Sequence, residues 1–236
     1  MYPLFEKIKE LEPAEIFEIG PGLGVMSREL AKLTDLHMIE FDTELVKILK
    51  EDTVLGKHKI THQDFLKVNL SEMVDSQKKN VITGNIPYHI SSSVLLKILE
   101  NITLFCGVGL MVQKEFAKRL IAKENTKEYG RLSVISQLHG NISELKIVPK
   151  ELFKPVPKVD SMVFWIEPFE KTPSKEWVKT LGQITHHGFS KRRKTIRNSL
   201  APYIEQIEEL GWDLQKRAEN VPVDDYRFLC DLVIQK

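Results

Sequence analysis

Apolar and polar residues alternate along this chain in two rhythms, short apolar runs and stretches of helical periodicity. Leu4, Phe5, Ile8 and Leu11 recur at helical spacing before a break at Pro13. Glu15 to Ile19 reads as a strand, and Met26, Leu30 and Leu33 as the apolar side of a helix after it. A second strand is expected from Leu36 to Glu40, with Asp42 as the N-cap of a helix through Lys50. A third runs from Lys57 to Thr61, and Asp64 lies just past its end. The fourth is Val81-Ile82-Thr83-Gly84, followed by Asn85-Ile86-Pro87-Tyr88 and a helix over 91–100 capped by Ser91 or Ser92. Leu104 to Val112 predicts a fifth strand leading into a helix from Lys114 to Lys123.

After a polar loop over 124–130, residues 132–138 continue the domain, and two strand-like runs occupy 142–148 and 159–166. Strands alternating with helices over short links predict an α/β fold with a doubly wound, mostly parallel sheet. The two late runs have no long helix between them, so they are expected to pair antiparallel at one edge. Pro168 and Pro173 bracket a charged linker, and only helical patterns follow, near 174–187, 192–201, 203–210 and 224–235. The expected division is therefore an α/β domain over 1–168 and a small all-helical domain over 169–236.

Composition narrows the class. A 236-residue chain that is 42% hydrophobic and 28% charged is globular rather than disordered. No apolar run approaches membrane-spanning length and no signal-peptide pattern opens the chain, so no membrane partner and a cytoplasmic location are expected. Cys106 and Cys230 lie in apolar surroundings and read as reduced core residues. The His186-His187 pair has no ligand partner at metal-binding spacing, and no metal site is expected. Over 171–236, 12 Lys and Arg face 9 Asp and Glu, a net of +3, against −2 for the rest. Within that excess, Lys191, Arg192, Arg193, Lys194 and Arg197 are clustered as a polyanion-binding patch would be, or as a solvated helix face. Lys114, Lys118, Arg119, Lys123, Lys127 and Arg131 form a second basic region open to the same two readings.

The chemistry concentrates after the strands. Ligands of open α/β sheets bind beyond the carboxyl ends of strands, where Asn85-Ile86-Pro87-Tyr88 sits. Asn85 offers an acceptor for an exocyclic amino group, and Pro87 keeps Ile86 out of the helical region so that its carbonyl is a second acceptor. Tyr88 offers a ring face for a planar base. A strand-ending turn with a buried Tyr is the plainer reading of the same four residues. Gly20-Pro21-Gly22-Leu23-Gly24, between a strand and a helix, is a nucleotide-binding turn of the kind used by dinucleotide dehydrogenases and S-adenosylmethionine enzymes alike. Glu40, twenty residues after Gly20, is placed to accept from both ribose hydroxyls, and Asp64 from an adenine amino group or, as a loop Asp, from its own turn. An Asn-Ile-Pro-Tyr loop supplies no nicotinamide site; it suits methyl transfer to an amine.

With these motifs in this order the chain resembles the small-subunit ribosomal RNA adenine dimethyltransferases of the KsgA type. The resemblance runs from about Phe17 to the C-terminus. It is carried by Glu18 to Gly24, Ile39 to Asp42, Gly84 to Tyr88, Met111 to Glu115 and Tyr129 to Val134, then by Phe153 to Ser161, Arg192 to Asn198 and Arg217 to Glu219. It implies a seven-stranded Rossmann-like methyltransferase sheet with a helical, RNA-binding C-terminal domain, and S-adenosylmethionine held at Gly20, Glu40, Asp64 and Asn85. It also implies a target adenine between Tyr88 and Phe153, in the small-subunit RNA of an immature ribosomal subunit, and a monomeric enzyme of ribosome biogenesis. The two basic regions would then grip RNA phosphates across a groove between the domains. Such enzymes usually open with a basic segment and a Gln-Asn-Phe-Leu-like motif that folds over the cofactor. Met1 here falls after that point, and weaker cofactor binding than with such a lid is expected. Large-subunit RNA or DNA adenine methylation and a catalytically silent RNA-binding assembly factor are the alternatives.

Overall fold

The computed structural model describes residues 2–170, 173–191 and 193–235. Seven strands, β1 (Glu15–Ile19), β2 (Asp35–Glu40), β3 (Lys59–His62), β4 (Asn80–Asn85), β5 (Gly107–Gln113), β6 (Gly140–Val148) and β7 (Ser161–Pro168), form one sheet in the order β3-β2-β1-β4-β5-β7-β6. Pairing is parallel from β3 through β5, and β7 runs antiparallel to β5. The expected antiparallel edge is there, with β7 inserted between β5 and β6. In β1, β4, β5 and β7 the buried run is nearly continuous, as in a sheet covered on both faces.

The chain divides into two compact units, Met1–Ala117 with Ser143–Pro168, and Lys118–Ile142 with Phe169–Lys236. In the first, α1 (Tyr2–Leu11), α2 (Ser27–Leu30), α3 (Thr43–Glu51), α4 (Leu70–Met73), α5 (Ser91–Glu100) and the start of α6 (Lys114–Leu120) accompany the strands. Leu4, Ile8, Ile16, Leu36, Met38, Val81, Val163 and Trp165 share one apolar core. Burying each of these large side chains stabilises the fold by about 1.5–3 kcal/mol. Asp42 caps α3 as expected, accepting from the amides of Glu44 and Leu45. Ser91 does not cap α5; its buried hydroxyl donates to the Pro87 carbonyl at 3.2 Å.

The boundary at 168 recurs in the structure, but residues 118–142 cluster with the C-terminal helices. The reason is long-range: Tyr129 is fully buried, and its hydroxyl donates to the Val221 carbonyl at 2.8 Å. The buried face of α7 (Arg131–Gln137) also packs within this unit, beside α8 (Lys175–Ser190) and α11 (Val223–Gln235). The expected helix over 192–201 is reduced to one turn, α9 (Ile196–Ser199). Ahead of it Thr195 bridges Arg217, and Ile196 donates to the Lys216 carbonyl, so the segment is extended against a partner. A single-turn 3₁₀ segment and α10 (Ile204–Glu209) complete the unit. No helix among the described residues is long and apolar enough to cross a membrane.

Gly84 tests how tightly β1 and β4 are joined. A Cβ there would meet the Ile19 carbonyl oxygen at 2.7 Å and Ile86 Cδ1 at 2.9 Å. Gly84→Ala is expected to destabilise by about 1–3 kcal/mol in urea unfolding. Gly182→Ala, in α8 with open space around the new methyl, is expected to gain about 0.5–1 kcal/mol.

Candidate active site

Parallel pairing from β3 to β5 brings the carboxyl ends of five strands and the residues that follow them to one edge of the sheet. Because β7 is antiparallel, with Ser161 opposite Gln113, the loop carrying Phe153 returns to that edge. The sites expected on Gly20, Glu40, Asp64, Asn85 and Phe153 therefore share one side of the first unit.

Gly20 and Gly22 adopt φ of +62° and +60°, the left-handed region that favours glycine, and a Cβ on either would meet nothing within 4 Å. The loop thus turns bare backbone toward open space, as a bound nucleotide needs. Pro21 closes the turn by accepting from the Gly24 amide at 2.9 Å. Gly24 also adopts a positive φ, +76°, and a Cβ there would strike the buried Leu55 side chain, so close packing requires glycine at this position too.

Glu40 is buried at the end of β2 and accepts three backbone amides. Gly22 donates at 3.1 Å to one carboxylate oxygen; Phe41 and Asp42 donate at 2.8 and 2.9 Å to the other. These bonds fix the carboxylate against the glycine loop, and each oxygen keeps acceptor capacity for a ligand. Asp64 is half-buried and accepts from Leu66 N at 2.9 Å, capping the 3₁₀ turn Phe65–Lys67. Its turn role is therefore real, with acceptor capacity remaining on the carboxylate.

The loop after β4 is anchored at each flank. Ile86 is buried and donates to the Met111 carbonyl at 2.9 Å, while Pro87 takes φ −54° and ψ 135°. The Asn85 side chain is exposed and unbonded among the described residues, and the Ile86 carbonyl likewise accepts from none of them. Tyr88 is half-buried, its hydroxyl 3.0 Å from Ser161 Oγ. Phe153 packs against the core cluster and makes no ring contact with Tyr88 among the described residues. Two acceptors are therefore presented without partners of their own, with Tyr88 beside them.

Two residues at the ends of the quoted motifs, to which the sequence assigned no role, also contribute. Ser161, at the head of β7, orients the Tyr88 ring. Glu18, on β1, is almost wholly buried, and its Oε2 has no hydrogen-bond partner; the same holds for the neighbouring Ser27 hydroxyl. Burial pushes the Glu18 carboxyl up to about 7, with the Ser27 hydroxyl opposing the rise and the Glu40 carboxylate adding to it. A buried, perturbed carboxyl beside the glycine loop is a candidate site residue. A carboxylate between Phe17 and Ile19, at the end of β1 that leads into the glycine loop, was the signal that could have marked it.

The basic residues fare unequally. Lys114 pairs with Asp160 at 3.6 Å and so braces the loop before β7. Lys118 and Arg119 are exposed on α6, and Arg131 is half-buried with an unpartnered Nε. Lys191, Arg193, Lys194 and Arg197 are exposed and make no ion pair with the described residues, and Arg192 lies outside those residues. Among the described residues no cluster of three or more His, Cys, Asp or Glu could hold a metal ion.

The profile of the ribosomal RNA adenine dimethylase family matches residues 3–233. The chain belongs to that family. It is 40% identical over 216 residues to ribosomal RNA small subunit methyltransferase A of Psychromonas ingrahamii, covering 89% of this chain and 80% of the relative. The same enzyme of Shewanella sediminis is 39% identical over 228 residues, covering 93% and 84%. Among solved structures, a dimethyladenosine transferase from Plasmodium falciparum superposes with a TM-score of 0.79 at 24% identity, covering 98% of this chain and 95% of that one. The 23S rRNA methyltransferase ErmE gives 0.67 at 22% identity, covering 96% of each. These two likenesses show that the adenine dimethylase fold extends over both units.

Glu18 gives this dimethylase a measurable cost. Its carboxyl titrates near 7 in the folded protein against the usual 4.5, so stability is full below pH 4.5 and falls as pH rises through 7. Glu18→Gln is expected to stabilise the ligand-free protein by on the order of 2 kcal/mol at pH 8. Urea unfolding at pH 8 and pH 4 checks this, the gain vanishing at the lower pH.

Proposed function

We propose that this dimethylase transfers methyl groups from S-adenosylmethionine to the exocyclic N6 of adenines near the 3′ end of small-subunit ribosomal RNA, as a step in assembling that subunit. The observation that carries the reading is the pair of unclaimed acceptors, Asn85 Oδ1 and the Ile86 carbonyl, beside the Tyr88 ring. The small-subunit methyltransferases to which the chain is 39–40% identical support the choice of RNA.

The residues at the sheet edge fit S-adenosylmethionine. Backbone at Gly20 and Gly22 leaves room for it, Glu40 would accept from the ribose hydroxyls and Asp64 from the adenine amino group. Glu18, with its Oε2 unpaired, would receive the ammonium group of the amino-acid end. When bound, the cofactor supplies an electrophilic methyl group on a sulfonium sulfur.

An adenine amine is a weak nucleophile because its lone pair is delocalised into the ring. Asn85 and the Ile86 carbonyl, each accepting one N–H, draw the nitrogen toward a pyramidal geometry and aim its lone pair. Tyr88, held by Ser161, stacks one face of the base, and Phe153 meets the other. Positive charge developing on nitrogen is met by fixed acceptors and aromatic faces, so positioning carries the rate without a strong base. The proton leaves to water. The base must be unstacked to enter, which single-stranded RNA permits at little cost. The unpaired cations of the second unit, Lys118, Arg119, Lys191, Arg193, Lys194 and Arg197, grip phosphates. The enzyme works as a monomer in the cytoplasm.

Asn85→Ala is expected to lower the methylation rate by at least about 10²-fold while RNA binding stays within twofold. Labelled methyl transfer to immature small subunits, with large-subunit RNA and DNA as comparison substrates, checks both the rate and the choice of substrate. Unimpaired turnover would remove Asn85 from the mechanism. Arg193→Glu with Arg197→Glu should weaken RNA binding and flatten its dependence on log salt by about one to two units of slope. Filter binding across a salt series would show this, with turnover at saturating RNA little changed.

A further inference from the structure

The Asp64 turn is built with an incomplete carbonyl end. The turn starts well: Asp64 caps Leu66 N, and its backbone carbonyl accepts from the Lys67 amide at 2.9 Å. At the far end the carbonyls of Leu66 and Val68 find no amide partner among the described residues. Orphaned carbonyls at a helical turn need another donor. They find one in Lys97, from the middle of α5. Its ammonium donates to Leu66 O at 2.8 Å and to Val68 O at 2.5 Å, and lies 5.6 Å from the centroid of the buried Phe65 ring.

We propose that Lys97 is a positioning residue for cofactor binding: it clamps the Asp64 turn so that the Asp64 carboxylate faces the adenine amino group of S-adenosylmethionine. This rests on the reading of Asp64 as the adenine contact. The same helix begins at Ser91, which is bonded to Pro87 of the Asn85–Tyr88 loop. Six residues of helix, about 9 Å of rise, therefore join the turn that holds the cofactor's adenine to the loop that holds the target amine. One rigid element sets the spacing of both. An ordinary solvent-facing lysine would not surrender two donors to carbonyls, because ordering its long side chain costs entropy. Burial lowers the Lys97 pKa, and the Asp64 and Glu100 carboxylates oppose that fall.

The test is calorimetric binding of S-adenosylhomocysteine, and of its analogue carrying hydrogen in place of the adenine amino group, to the full chain. Lys97→Met and Asp64→Ala should each weaken S-adenosylhomocysteine about tenfold, and the double variant no more than either alone. Neither should alter binding of the analogue, and Lys97→Arg should restore affinity to within about threefold. In turnover, Lys97→Met should raise KM for S-adenosylmethionine and leave kcat unchanged. Wild-type affinity in Lys97→Met, or equal weakening of both ligands, overturns the proposal. If Asp64→Ala binds S-adenosylhomocysteine like the wild type, the adenine contact itself is wrong and the clamp falls with it. If only the Lys97 effect is missing, the contact stands and the clamp alone is rejected. Should Lys97→Met not fold, Lys97→Gln is read by the same criteria.

Discussion

The site depends first on how closely β4 lies against β1. Ile19 pairs with Gly84, and the space between them admits no Cβ. That pairing sets the glycine loop, which leaves β1, beside the Asn85 loop, which leaves β4. On the proposed reading, a cofactor cradled by the first would lie adjacent to an amine held by the second. The remaining strand ends extend the same edge. Glu40 ties β2 to the glycine loop, and the Gln63 amide donates to the Glu40 carbonyl, bringing the segment after β3 into line.

Polar groups in the first unit divide into those spent on architecture and those held in reserve. Thr83 donates to the Gly109 carbonyl, Asn80 binds three carbonyls, and Ser91 binds Pro87. Glu18, Asn85 and the Ile86 carbonyl stay unclaimed. Leaving Glu18 buried and unpartnered opposes folding, and a cationic ligand would offset that cost. Stability given up inside a strand is in this sense the counterpart of affinity at its end.

Much of this was legible in the residues. Strand ends were readable because apolar runs stop at Gly20, Glu40 and Asn85, and because glycine and proline punctuate the loops. Asp42 announced its cap. Features that depend on partners far along the chain were hidden. Tyr88 finds Ser161 73 residues away, and Tyr129 finds Val221 92 residues away. The second of these contacts is part of what draws 118–142 into the helical unit, against the single boundary expected at 168. The stretch over 192–201 looked helical from its spacing, but Thr195 bridges Arg217 and only Ile196–Ser199 is helical. No motif in the sequence singles out Lys97, and only the carbonyls of another segment reveal its work. Gly24 fitted the ligand loop by motif, and its close packing against Leu55 was not visible there.

The central claim is that Asn85 and the Ile86 carbonyl receive the two hydrogens of an adenine amine. A crystal structure of the protein with S-adenosylhomocysteine and adenosine bound addresses it most directly. The account predicts the 6-amino nitrogen within hydrogen-bond reach of both acceptors, its ring against Tyr88, and the cofactor sulfur beyond it. Adenosine bound away from this loop, or the two acceptors turned to contacts within the protein, would contradict it.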